Sequence, residues 1–110
     1  YPTEIIDFCS TYDRKITLDT AHLSMHCNYR NENLVESIAI LAPWTAHWHM
    51  SDALGNNGEG VAMGSGDVNF KAVLESVTPS QTFIVETWQG HKNNGFGFKT
   101  DLTYLNNQRK

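Results

Sequence analysis

The chain has 110 residues, of which 40% are hydrophobic and 18% charged, and its net charge is −4. That balance excludes a disordered chain, and the scattered Lys and Arg residues exclude a binder that grips a phosphate backbone through a basic patch. No apolar run is long enough to cross a membrane and no basic, apolar leader is present, so a soluble, cytoplasmic protein is expected.

Residues 3–12 predict a helix, because Thr3 can cap it and Ile5, Ile6, Cys9 and Tyr12 recur at helical spacing. Asp13-Arg14-Lys15 then makes a turn into a strand, 15–21, expected to be buried on both faces. After a polar stretch, 28–33, the run Leu34, Val35, Ile38, Ala39, Leu41 has the period of a helix lying on a sheet, stopped by Pro43. Cys27, just beyond the first strand, and Cys9 show no Cys-x-x-Cys spacing and are expected to be two reduced thiols.

The next strand, 44–50, puts Thr45, His47 and His49 on one face and Ala46, Trp48 and Met50 on the other. A long glycine-rich loop, Gly55 to Gly66, suits a ligand cover. Asp67 is then a natural N-cap for a helix carrying Val68, Phe70, Val73, Leu74 and Val77. The third strand, 82–88, directs Ile84, Glu86 and Trp88 to one face and Phe83 and Val85 to the other; Phe96 to Leu105 forms a closing helix, and Asn106 to Lys110 a frayed tail.

Three of these strands deliver a metal-ligand side chain near their carboxyl ends: Asp19, His49 and Glu86. They stand about 30 and about 37 residues apart, which leaves room for a loop, a helix and a return loop between each pair and predicts a parallel sheet. Two carboxylates and an imidazole on neighbouring strands point to a divalent-metal site. Glu86 is the strongest of the three, since a carboxylate after Phe83-Ile84-Val85 is costly to bury unless it is paired, with Lys92 available, or bound to a cation. Asp19 taken alone also fits a helix cap.

His22, three residues past Asp19, is placed to reach a ligand, and His47 suits a supporting or packing role beside His49. Asp52 can orient an imidazole, touch metal or substrate, or cap the following loop. Trp88, Gln89 and His91 extend past Glu86 and can line a sugar pocket by ring stacking and hydrogen bonds.

Leu18-Asp19-Thr20-Ala21-His22, His47-Trp48-His49-Met50-Ser51-Asp52, Gly64-Ser65-Gly66-Asp67-Val68-Asn69-Phe70 and Ile84-Val85-Glu86 together resemble the last three βα units of the xylose-isomerase-like TIM barrels. That superfamily holds sugar and sugar-phosphate isomerases and epimerases, and DNA repair enzymes of the endonuclease IV type. The resemblance implies an α/β fold, with residues 1–110 a single partial TIM-barrel domain of about three βα units, parallel strands and flanking helices.

It further implies a divalent metal, Mn²⁺, Mg²⁺, Co²⁺ or Zn²⁺, held by Asp19, His49 and Glu86, with a further Glu from a preceding strand. Glu86 is then also one half of a catalytic acid/base pair, and His22, Asp52, Trp88 and His91 are substrate-binding candidates. Gly55 stands where some epimerases carry a substrate-binding Arg.

The activity expected is a metal-dependent sugar or sugar-phosphate isomerase or epimerase, present as a fragment that is inactive alone. The alternatives are an endonuclease IV-like repair enzyme, which the acidic balance disfavours, and a non-catalytic, barrel-derived binding module. Open sheet edges would make such a chain pair with itself or with the missing barrel portion.

Overall fold

A computed structural model describes residues 2–55 and 58–108; Asn56 and Asn57 of the glycine-rich loop, and Arg109 and Lys110 of the expected tail, lie outside the described residues. Ten regular elements run in the order α1 (Pro2–Tyr12), β1 (Ile16–Asp19), α2 (Thr20–Arg30), α3 (Leu34–Leu41), β2 (Thr45–Met50), β3 (Asp52–Leu54), β4 (Gly58–Val61), α4 (Phe70–Ser76), β5 (Thr82–Val85) and α5 (Lys92–Gln108). A short 3-10 turn, Ala42–Trp44, carries Pro43 and joins α3 to β2. The result is a mixed α/β fold around a small parallel sheet.

The sheet has three strands in the order β1-β2-β5, and both pairings are parallel. Register places Leu18, Trp48 and Phe83 in one row, and Asp19, His49 and Ile84 in the next. The first row faces the helices. Trp48 and Met50 are fully buried there with Ile38, Leu41, Phe70, Val73 and Leu105, so the core lies between the sheet and α3, α4 and α5. Gln81 closes its lower end: its Oε1 accepts from Trp48 Nε1 at 2.9 Å, and its Nε2 donates to the carbonyls of Ala42 and Thr45.

The opposite face is largely open. Thr17 and Thr82 are exposed, and Ile84 is 47% exposed. The expectation that the first strand is buried on both faces is therefore corrected, because Thr17 is exposed while Leu18 is buried. That strand also ends earlier than expected. Asp19 accepts the His22 N–H at 3.0 Å, and this cap starts α2 at Thr20.

Helix α2 is the main element that hydrophobic spacing does not reveal, and Cys27 lies inside it, 1% exposed. β3, just before the expected loop, and β4, inside it, form an antiparallel hairpin, Ala53 opposite Glu59. The helix after it is capped by Asn69, not Asp67. Asp67 is committed elsewhere, its Oδ2 accepting from Gly55 N at 2.7 Å and Asn28 Nδ2 at 3.2 Å.

The third strand stops at Val85, three residues short of expectation. The closing helix is longer than expected: α5 includes Asn106–Gln108, and its start is broken by left-handed backbone at Asn93, Asn94 and Gly95. Thr3 lies inside the first turn of α1 rather than at its cap. No helix among the described residues is long and apolar enough to cross a membrane.

Both cysteines are free and buried. Burial pushes the Cys27 thiol above its ordinary value of 9.0; the hydrogen bond to Ser37 Oγ at 3.7 Å pulls it down, and nearby Glu32 pushes it up again. The unfolded thiol thus ionises at lower pH than the folded one. The contribution to stability is fully present below about pH 9 and is lost as pH rises through the folded value. The urea midpoint of the wild-type chain should fall more steeply between pH 8 and pH 10.5 than that of Cys27→Ser; parallel slopes would contradict this.

Candidate metal centre

The three carboxyl ends of β1, β2 and β5 lie side by side, and hydrogen bonds stitch them together. Thr20 Oγ1, fully buried, donates to the Ser51 carbonyl at 2.6 Å and accepts the Ser51 N–H at 2.9 Å. Ser51 Oγ donates to the Glu86 carbonyl at 2.7 Å, and the Glu86 N–H donates to the Met50 carbonyl at 2.9 Å. Thr20, Ser51 and Glu86 therefore each follow a strand whose end is held at fixed distance from its neighbour.

This frame brings Asp19, His49 and Glu86 together. Each offers one ligand atom, all within 4.8 Å of one another, and all three residues are half-buried. His49 Nδ1 faces Glu86 Oε1 at 2.9 Å. One nitrogen with two carboxylates is a donor set that divalent ions accept, and the His49–Glu86 spacing is also that of an ion pair. Glu86 is paired here with His49. Asp19 divides its work, Oδ1 capping α2 while Oδ2 faces His22 Nδ1 at 3.1 Å, so the cap and the site role coexist.

The other sequence-derived candidates separate. His47 meets Thr82 Oγ1 through Nδ1 at 2.6 Å and packs edge-on against the His49 ring, centroids 5.3 Å apart, which suits a supporting role. His22 is exposed and stands at the rim beside Asp19.

Asp52 is fully buried and accepts from four backbone N–H groups, those of Ala53, Gly64, Gly66 and Val68, at 2.9 to 3.1 Å. Its carboxylate organises the loop before α4, which is the loop-capping alternative. Trp88 is past the end of β5 and 77% exposed, at the edge of a cleft of about 360 Å³ lined by Ser51, Glu59, Gly60, Glu86, Thr87 and Trp88. His91 is exposed and is not part of that lining.

Three participants escape sequence reasoning. Glu59 on β4 reaches the His22 ring, Oε1 to Nε2 at 3.1 Å, and lines the cleft. Thr20 and Ser51 hold the strand ends. The sole signal for Glu59 is a carboxylate between two glycines, Gly58 and Gly60, an unremarkable pattern in a turn. Asp19, Glu59 and Glu86 stand against two imidazoles, His22 and His49, and the cleft lining includes neither Lys nor Arg.

No protein-family model, no curated protein and no solved structure matches the chain. The class that fold and site define is thus a mixed α/β protein with a three-stranded parallel sheet and a candidate Asp-His-Glu centre at its carboxyl edge.

Proposed function

We propose that this chain is a carboxy-terminal part of a metal-dependent TIM-barrel enzyme that isomerises or epimerises a sugar or sugar phosphate by proton transfer through an enediolate. The observation that carries the reading is the convergence of Asp19, His49 and Glu86 at the carboxyl ends of three successive parallel strands, where barrel enzymes place their chemistry. The open face opposite the helices gives further support, because parallel sheets are normally covered on both sides and a barrel covers its inner face by closing. A cleft of about 310 Å³ beside β1, lined by Ile5, Leu18, Asp19, His22, Leu23 and Leu41 among others, leaves room for a preceding βα unit or a second copy of the chain.

Asp19, His49 and Glu86 would hold the ion, Mn²⁺, Mg²⁺, Co²⁺ or Zn²⁺, which when bound supplies polarisation of the substrate oxygens. The Glu86 carboxylate would take the proton from the carbon beside the substrate carbonyl, and the partner carboxylate would deliver a proton to the resulting enediolate. His22 stands beside Asp19 with both ring nitrogens facing carboxylates, and the exposed Trp88 ring offers a stacking surface for a sugar. The partner carboxylate of the acid/base pair belongs, in this reading, to a strand beside the open edge of β1. The 110 residues alone are therefore expected to bind metal and to lack turnover.

Elemental analysis of the purified chain after saturation with Mn²⁺ or Zn²⁺ tests the reading. About one ion per chain is expected. No retained metal would leave a protein that works by association through its open face and edges.

A further inference from the structure

His22 stands between two carboxylates from different parts of the chain. Its Nδ1 faces Asp19 Oδ2 at 3.1 Å and its Nε2 faces Glu59 Oε1 at 3.1 Å. Each contact is solvent-exposed and weak by itself. The anchoring of both ends is what gives the arrangement direction.

Asp19 is held by its bond to the His22 N–H. Glu59 sits on β4, and the carbonyl of the next residue, Gly60, accepts the Trp88 N–H at 2.9 Å. Gly60 has φ +74°, and a Cβ there would lie 3.4 Å from the Trp88 nitrogen, so strand and loop meet backbone to backbone. The paired strand β3 is fixed in turn by Asp52 and by the Asp67 bond to Gly55 N. β4 thus crosses from the first turn of α2 to the loop after β5, and it presents the Glu59 carboxylate to His22 from a tethered strand.

We propose that Glu59 is a positioning residue of the metal centre, acting through His22 to fix the orientation of the Asp19 carboxylate. The inference rests on the metal reading of Asp19, His49 and Glu86. Asp19 Oδ1 accepts the His22 N–H and Oδ2 faces the His22 ring, so the aim of either oxygen depends on His22, and a carboxylate behind the imidazole limits the ring. Glu59 touches neither metal nor substrate in this role.

The experiment is a Co²⁺ titration of the full chain, followed by visible absorption and calorimetry, for the wild type, Glu59→Ala, Glu59→Gln, His22→Ala and the double variant. Glu59→Ala is expected to weaken Co²⁺ binding about tenfold and to alter the ligand-field bands, as loss of an orienting partner does. Glu59→Gln, whose amide oxygen still accepts from the ring, should recover most of the affinity. On the His22→Ala background, Glu59→Ala should add nothing.

Glu59 is 57% exposed, so the core is untouched by these changes. Glu59→Asp serves as a second variant that keeps the charge and falls short of His22, and it should lose the same tenfold. Wild-type affinity in Glu59→Ala, or an equal loss with and without His22, overturns the proposal while leaving the metal centre standing. A wild-type chain that takes up no Co²⁺ overturns both.

Discussion

Glu86→Ala should lower the affinity of the chain for Mn²⁺ by more than about 100-fold, and Asp19→Ala and His49→Ala should do the same. Removing a residue that merely orients a ligand costs about 10- to 100-fold, so removing one of three ligands exceeds that range. The three atoms lie within 4.8 Å of one another, and no other group of three or more metal-ligating side chains comes together among the described residues to take over. Binding of Mn²⁺ followed by calorimetry or electron paramagnetic resonance provides the check. Glu75→Ala, an exposed carboxylate on α4, is the control and should bind as the wild type does. An unchanged affinity in any one of the three variants removes that residue from the ligand set; unchanged affinity in all three removes the site.

The second large effect is on stability. Asp52→Ala should destabilise the chain by about 3–5 kcal/mol, since four N–H groups lose their acceptor at about 1–3 kcal/mol for each that stays buried and unpaired. The carboxylate is fully buried and satisfies four N–H groups along 53–68, so its loss leaves donors in a segment without a replacement acceptor. Set against the ~5–15 kcal/mol that holds a domain of this size together, the loss is a large share of the total. The melting temperature should fall by on the order of 15–25 °C. Asp52→Asn should be nearly as damaging, since its amide group turns two donors toward other donors. A urea midpoint within about 1 kcal/mol of the wild type would mean that water takes over as the acceptor.

The later half of β2 was legible in the sequence, because a period of two separates His47 and His49 from Trp48 and Met50 and the structure buries the second pair completely; at the strand's start the expected pattern fails, Thr45 being buried and Ala46 exposed beside the register shift at Ile16 and Thr17. The parity in 82–88 likewise separates Ile84 and Glu86 from Phe83 and Val85. Helix α2 was not legible, because His22, Ser24, His26 and Asn28 interrupt its apolar positions. It forms on the Asp19 cap and on packing against β1, β2 and the hairpin. The hairpin was hidden by its glycines, whose usual meaning is a turn.

The N-cap of α4 was misplaced by two residues because Asp67 and Asn69 are both capping types. Tertiary bonds decide between them, since Asp67 is drawn to Gly55 and Asn28. Glu59 could not be assigned a role from the sequence, because its distance to His22 depends on that unseen hairpin.

Among the described residues β1 and β5 are the edge strands of the sheet, and the two edges are not equivalent. In a parallel sheet, the side of β1 away from β2 and the side of β5 away from β2 offer staggered, complementary sets of backbone donors and acceptors, so β5 of one copy matches β1 of another better than it matches itself. Self-association along these edges would be head-to-tail, without a two-fold axis. Such contacts either close into a ring or propagate as a filament. If a preceding βα unit normally occupies β1, supplying that unit should cap the growing end, and the size of assemblies at high concentration becomes a direct readout of how completely the sheet has been closed.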